Sequence, residues 1–122
     1  MAATIDITGE LLLRQKANDT SKPTVNSQPV NLAKTLNVTR AFDKYYESFG
    51  IQTDLELMSA DSLSEAISVF FQASAVASLK INGAATAIVT DYILIVSDPA
   101  SPITSLKLTT TGVINFYLFM GR

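Results

Sequence analysis

Val113-Ile114-Asn115-Phe116-Tyr117-Leu118-Phe119-Met120 is the stretch that decides the fold. Read as an extended strand, it puts Ile114, Phe116, Leu118 and Met120 on one side. Val113, Tyr117 and Phe119 fall on the other, with Asn115 the one polar residue among them. One side fills the core of a β-sandwich. The other is too apolar to face water, and a small domain has little left to cover it. The strand therefore reads as part of a subunit covered by its neighbours. Val113, Tyr117 and Phe119 are the candidate oligomer contacts, with the Phe116 side in their place if the pleat is reversed.

Working backward, residues 78–81, 92–96 and 103–109 are further short β segments with almost no charge. Asn82-Gly83, the run from Ser97-Asp98-Pro99 to Pro102, and Thr111-Gly112 separate them. Asn82-Gly83 is the strongest hairpin signal, because a type I′ turn needs positive φ at both central residues. Residues 67–73 alternate, with Ile67, Val69, Phe71 and Ala73 on one face. Ser62 and Glu65 offer a capping box for a rival helix, but β-branched and aromatic residues favour the strand. Residues 51–58 also alternate. Residues 40–49 stay open between two readings. Phe42, Tyr45, Tyr46 and Phe49 follow helical spacing up to Gly50, whereas adjacent tyrosines favour a strand.

Residues 4–13 read as a strand with a bulge or bend at Gly9, and residues 30–38 as another strand. Between them residues 16–29 are polar and rich in Asn, Ser, Thr and Pro, an extended arm with little to bury. Lys16, Lys22, Pro23, Val25 and Pro29 are its candidate contacts to another chain. The expected organisation is an N-terminal strand and arm over residues 1–40 and a β-sandwich over 41–122. The fold class is all-β, an antiparallel sandwich or jelly roll with at most one or two short helices.

The 122 residues are 48% hydrophobic and only 16% charged, against about 25% charged in ordinary soluble domains. So little solvated surface fits an assembly better than a free monomer. The net charge of −2 makes nucleic acid a poor partner. Residues 1–40 are mildly basic and residues 41–122 acidic, a split that lets the arm dock on an acidic neighbour or arise by chance. No apolar run is long enough to span a bilayer. The N-terminus lacks the basic and apolar regions of a signal peptide. The sequons at Asn18 and Asn37 are accordingly read as coincidental.

Cysteine, histidine and tryptophan are absent. That removes disulfides, Ser-His triads, Cys-His pairs and zinc sites built from His and Cys. Nothing marks a Ser-Lys pair, so the chain is read as non-enzymatic, with no cofactor. Asp43, Glu47, Asp54, Glu56, Asp61 and Glu65 form the one acidic series, a solvated face first and a calcium or arm-binding site second. Tyr45, Tyr46, Tyr92 and Tyr117 are of a type that lines carbohydrate sites, although tyrosines in strands more often serve core or interface.

The C-terminal half resembles small structural proteins of tailed-phage virions. The resemblance runs from about residue 65 to 122. It is carried by Ile67-Ser68-Val69-Phe70-Phe71-Gln72-Ala73-Ser74, Leu79-Lys80-Ile81-Asn82-Gly83, Tyr92-Ile93-Leu94-Ile95, and Pro102 through Gly112 before the closing strand. Those proteins carry "Ile-Thr-Ser-Leu-x-Leu-Thr-Asn-x-Gly"; this chain departs with Thr110-Thr111 where Asn-Thr or Asn-Ser is usual. The resemblance implies a virion β-sandwich acting as a symmetric oligomer, and it carries no catalytic residues. The resulting expectation is a homotrimeric capsid decoration or cement protein. It would be assembled in the host cytoplasm onto the major capsid protein, touching neither nucleic acid nor membrane. A tail, baseplate or fibre-attachment subunit is the alternative within that class. A carbohydrate- or receptor-binding module is the alternative outside it.

Overall fold

The computed structural model describes residues 3–12 and 30–122. Its regular structure there is eight strands and no helix: β1 (Ala3–Leu11), β2 (Val30–Val38), β3 (Ala41–Phe49), β4 (Leu55–Glu56), β5 (Ser68–Ile81), β6 (Ile88–Val96), β7 (Leu106–Thr109) and β8 (Ile114–Gly121). The chain forms two compact units, one of Thr4–Asn37 and one of Val38–Arg122 together with Ala3. The arm residues Lys16, Lys22, Pro23, Val25 and Pro29 lie outside the described residues.

In the first unit, β1 and β2 form a two-stranded sheet. Asp6 accepts a hydrogen bond from the Thr35 hydroxyl, and Gly9 faces Leu32, so the two strands run in opposite directions. β1 runs on through Gly9.

The second unit is one curled antiparallel sheet, ordered β3-β8-β5-β7-β4 with β6 on the other edge of β5. This is an all-β, sandwich-like fold. The curl originates in β5. Residues 68–73 pair with β8, and residues 78–81 pair with β7 on the same edge. Between Gln72 and Ala77 five steps along β5 match two along β6, so the strand is bulged where it changes partner. Ala73, Ser74, Ala75 and Ala77 leave room for that bend. The two segments expected at 67–73 and 78–81 are therefore one 14-residue strand.

Inward-facing residues of both halves make the core: Val69, Phe71 and Leu79 from β5, Leu106 and Leu108 from β7, and Ile114, Phe116, Leu118 and Met120 from β8. Phe116 is its centre, stacked on Tyr46 at 4.5 Å and edge-on to Phe49 at 5.1 Å. Burying each such side chain contributes about 1.5–3 kcal/mol.

Residues 40–49 resolve as a strand, and its helical spacing has a physical cause. From Tyr46 to Phe49 β3 advances three residues while its partner moves two, from Phe116 to Ile114. That extra residue is a bulge, and it returns Phe49 to the core face already used by Phe42 and Tyr46.

The expected strand at 51–58 shrinks to Leu55–Glu56. Hydroxyls outcompete the ladder there: Thr110 and Thr109 accept from the N–H groups of Gln52 and Asp54, and Asp54 turns to φ 47°. The strand expected at 103–109 begins only at Leu106, because Asn82 Oδ1 accepts from the N–H groups of Thr104 and Ser105. Asn82 and Gly83 do adopt the positive φ values of a type I′ turn, 50° and 73°. The β5–β6 ladder closes only at Leu79 and Ile88, so the turn sits at the tip of a longer loop.

Candidate functional site

Four adjacent strands, β3-β8-β5-β6, turn a second face away from the core. Their registers align residues into rows across it. One row is Asp43, Phe119, Phe70 and Leu94; the next is Tyr45, Tyr117, Gln72 and Tyr92. A third row, Ala41, Gly121, Ser68 and Val96, closes one end. The period-two pleat makes this face unavoidable once Phe116 and Phe71 point inward.

The face is aromatic and nearly uncharged. Phe70 packs edge-on against Tyr92 at 5.2 Å and lies 6.4 Å from Tyr117. Tyr45 and Tyr92 remain 56% and 59% exposed, and Leu94 and Val96 42% each. Asp43 is the one charged residue in the three rows. Interaction of the Tyr117 hydroxyl with this carboxylate, together with burial, holds the Tyr117 pKa above its ordinary value. Tyr45, Gln72, Ala73, Ser74, Asn115 and Tyr117 line a shallow depression of about 270 Å³ on this face.

The candidate contacts read from the final strand divide in three ways. Tyr117 and Phe119 lie half-buried on the outer face. Val113 precedes β8 and is 66% exposed. Phe116 is fully enclosed in the core, so the reversed pleat is excluded and Phe116 presents no surface to a neighbour. Tyr45 and Tyr92 join the face from the set of four tyrosines already singled out, and Phe70, Leu94 and Val96 join it without having been singled out. Phe70 carried a signal, as an apolar residue breaking the polar series Ser64, Ser68 and Gln72. Leu94 and Val96 became visible only through strand register. Of the four tyrosines, Tyr46 alone turns toward the core, where burial raises its pKa.

The acidic series disperses. Asp54 pairs with Lys80 at 3.5 Å and Glu65 with Arg122 at 3.0 Å. Glu56 accepts from the Ser105 hydroxyl and the Leu106 N–H at 2.6 and 2.7 Å. Among the described residues no three acids converge as metal ligands would. A second depression, of about 220 Å³, lies between β3 and the β4 segment. There Lys44 sits 4.8 Å over the Tyr46 ring, a cation–π contact at the rim of the core.

Comparison with family models, curated proteins and solved structures yields no match.

Proposed function

We propose that this chain is a structural subunit of a tailed-phage virion, working as a homo-oligomer, a trimer on the expectation above, that decorates and cements the capsid. The carrying observation is the outer face of β3-β8-β5-β6, where Phe70, Tyr92, Leu94, Tyr117 and Phe119 meet beside a single carboxylate. A small domain with such a face gains stability when a neighbour covers it, at about 25 cal/mol per Å² of apolar surface. Repetition over a shell multiplies that gain without any single strong contact. The resemblance over residues 65–122 supports the virion assignment. A tail, baseplate or fibre-attachment subunit would use the same face. The test is light scattering of the purified chain together with its recovery in particles. A monomer that never co-purifies with particle polypeptides overturns the reading.

A second reading has its own observation. Tyr45, Tyr117 and Tyr92 share one row with Gln72, beside the depression that Asn115 and Ser74 also line. Aromatic rings flanked by amides and hydroxyls suit the apolar faces and hydroxyl edges of a sugar. Glycan-array binding lost in Tyr92→Ala and Tyr45→Ala would favour a carbohydrate-binding module over a cement subunit.

A further inference from the structure

Among the described residues β6 is bonded on one edge only, to β5. The Ser97 N–H donates to the Ile67 carbonyl at 2.8 Å, continuing the register that pairs Val96 with Ser68. In an antiparallel ladder the direction of these groups alternates along the strand. Ser97, Ile95 and Ile93 therefore turn their N–H and C=O groups to β5, and Val96, Leu94 and Tyr92 turn theirs outward. Tyr92 confirms the alternation. Its N–H donates to the Thr90 hydroxyl at 3.1 Å, and that hydroxyl donates to the Tyr92 carbonyl at 2.9 Å. One side chain thus closes the edge at Tyr92 and leaves Leu94 and Val96 as the open residues between Tyr92 and Ser97.

Exposed edges are ordinarily blunted by lysine, proline, bulges or charge. From Ile88 to Val96 there is no lysine or proline, and Asp91 is the one charge. β3, at the other end of the outer face, carries Asp43, Lys44, Glu47 and a bulge. We infer that the open edge of β6 pairs with β6 of a second copy of this chain, antiparallel about a two-fold axis at Ile95. That axis sets Leu94 opposite the partner copy's Val96, and the reverse. Each residue offers one N–H and one C=O, so the pairing satisfies every open group at Leu94 and Val96 in both copies. Tyr92 then meets the loop at Asp98, where no ladder bond is needed, and no like charges face each other. The side chains of Tyr92, Leu94 and Val96 belong to the aromatic outer face, so pairing joins two such faces into one sheet surface. The inference rests on the assembly reading above and adds a second contact to it, one that joins oligomer to oligomer, since a two-fold pairing closes no threefold ring.

A cysteine-free chain makes the test direct. Ile95→Cys places two thiols at the axis, with Cα atoms about 4.5 Å apart in a non-hydrogen-bonded pair, which a disulfide spans. Val89→Cys lies on the same strand, yet its two copies would be about 40 Å apart. Mild oxidation of the full chain should give a dimer with Ile95→Cys and at least about tenfold less with Val89→Cys. Adding Val96→Pro removes an outward N–H and leaves the β5 ladder intact, so it should suppress the cross-link while circular dichroism stays unchanged. Equal cross-linking of both cysteines, or none at Ile95→Cys in a folded chain, overturns the inference. So does cross-linking that appears only after residues 13–29 are deleted, which would make that segment the occupant of the edge. An oligomer that forms while Ile95→Cys alone gives no cross-link sinks the edge pairing and leaves the proposed function standing.

Discussion

The side-chain oxygen of Asn115 accepts a hydrogen bond from the backbone N–H of Ser48 at 2.7 Å. Ser48 is the positive-φ residue of the β3 bulge, at 51°. Asn115 is the one polar residue in the final strand, and its own N–H donates to the Ser74 hydroxyl at 2.9 Å. A residue that interrupts the apolar run thus fixes the bulge returning Phe49 to the core. Asn115→Ala should cost about 1–2 kcal/mol in urea unfolding, because the bulge N–H loses its acceptor. Ser48→Gly should be neutral or stabilising by up to about 1 kcal/mol, since glycine takes this φ freely.

Asn82 couples two distant segments. Its oxygen accepts from the N–H groups of Thr104 and Ser105 at 2.7 and 3.2 Å, while its backbone occupies a left-handed turn position. Asn82→Ala loses both the acceptor and the residue type suited to that φ, so thermal or urea unfolding should show a loss of about 2–3 kcal/mol. Asn82→Asp keeps an acceptor oxygen and should cost less than half as much. Equal losses in the two variants would trace the effect to the side-chain amide nitrogen, which donates to the Pro102 carbonyl at 3.4 Å and is absent from both.

These two asparagines also show where the sequence was legible. The all-β class, the division of β8 into two faces and the Asn82-Gly83 turn could all be read from alternation and turn chemistry; which face of β8 turns inward could not. The strand at residues 40–49 could not, because a bulge converts period-two placement of Phe42, Tyr46 and Phe49 into apparent helical spacing. The continuity of β5 was hidden by small residues that look like a break and serve as a bend. The aromatic face was legible strand by strand at Tyr117 and Phe119. Its extension to Phe70, Tyr92 and Leu94 depends on register, which pairs residues far apart in sequence.

Tyr117 gives a pH signature. Interaction with the Asp43 carboxylate, together with burial, holds its pKa above the ordinary tyrosine value of about 10. A folded pKa above the unfolded one means the contribution to stability is complete below the unfolded value. It is lost as pH rises through the folded one. Ultraviolet titration of the phenolates should show two late-ionising groups, Tyr46 and Tyr117, and Tyr117→Phe should remove one of them. In Asp43→Asn the Tyr117 group should ionise at lower pH. No change in Asp43→Asn would mean that burial rather than the carboxylate sets the shift.

The arm makes a separate claim. Residues 16–28 are too polar to build a core, and the second compact unit, Ala3 apart, begins only at Val38. Deleting residues 16–28 should leave the β signal and unfolding midpoint of the subunit nearly unchanged while weakening its incorporation into particles. Loss of the folded domain on deletion would assign the segment to the fold instead.

The two faces of β8 can be told apart by neighbouring substitutions. Phe116 is wholly buried and touches Tyr46, Phe49 and Phe71. Phe116→Asp should therefore unfold the domain, since losing such a ring costs about 3–5 kcal/mol before the buried charge is counted. Phe119 is half-buried on the outer face, directly opposite Asp43. Phe119→Asp should leave a folded β domain and dissociate the oligomer, with a modest further loss from the like charge across the strand pair. Phe119→Ser removes that complication and should dissociate the oligomer as well. Circular dichroism beside light scattering separates the outcomes. If Phe119→Ser stays assembled, the aromatic face is not the contact between subunits, and the structural role proposed for it fails.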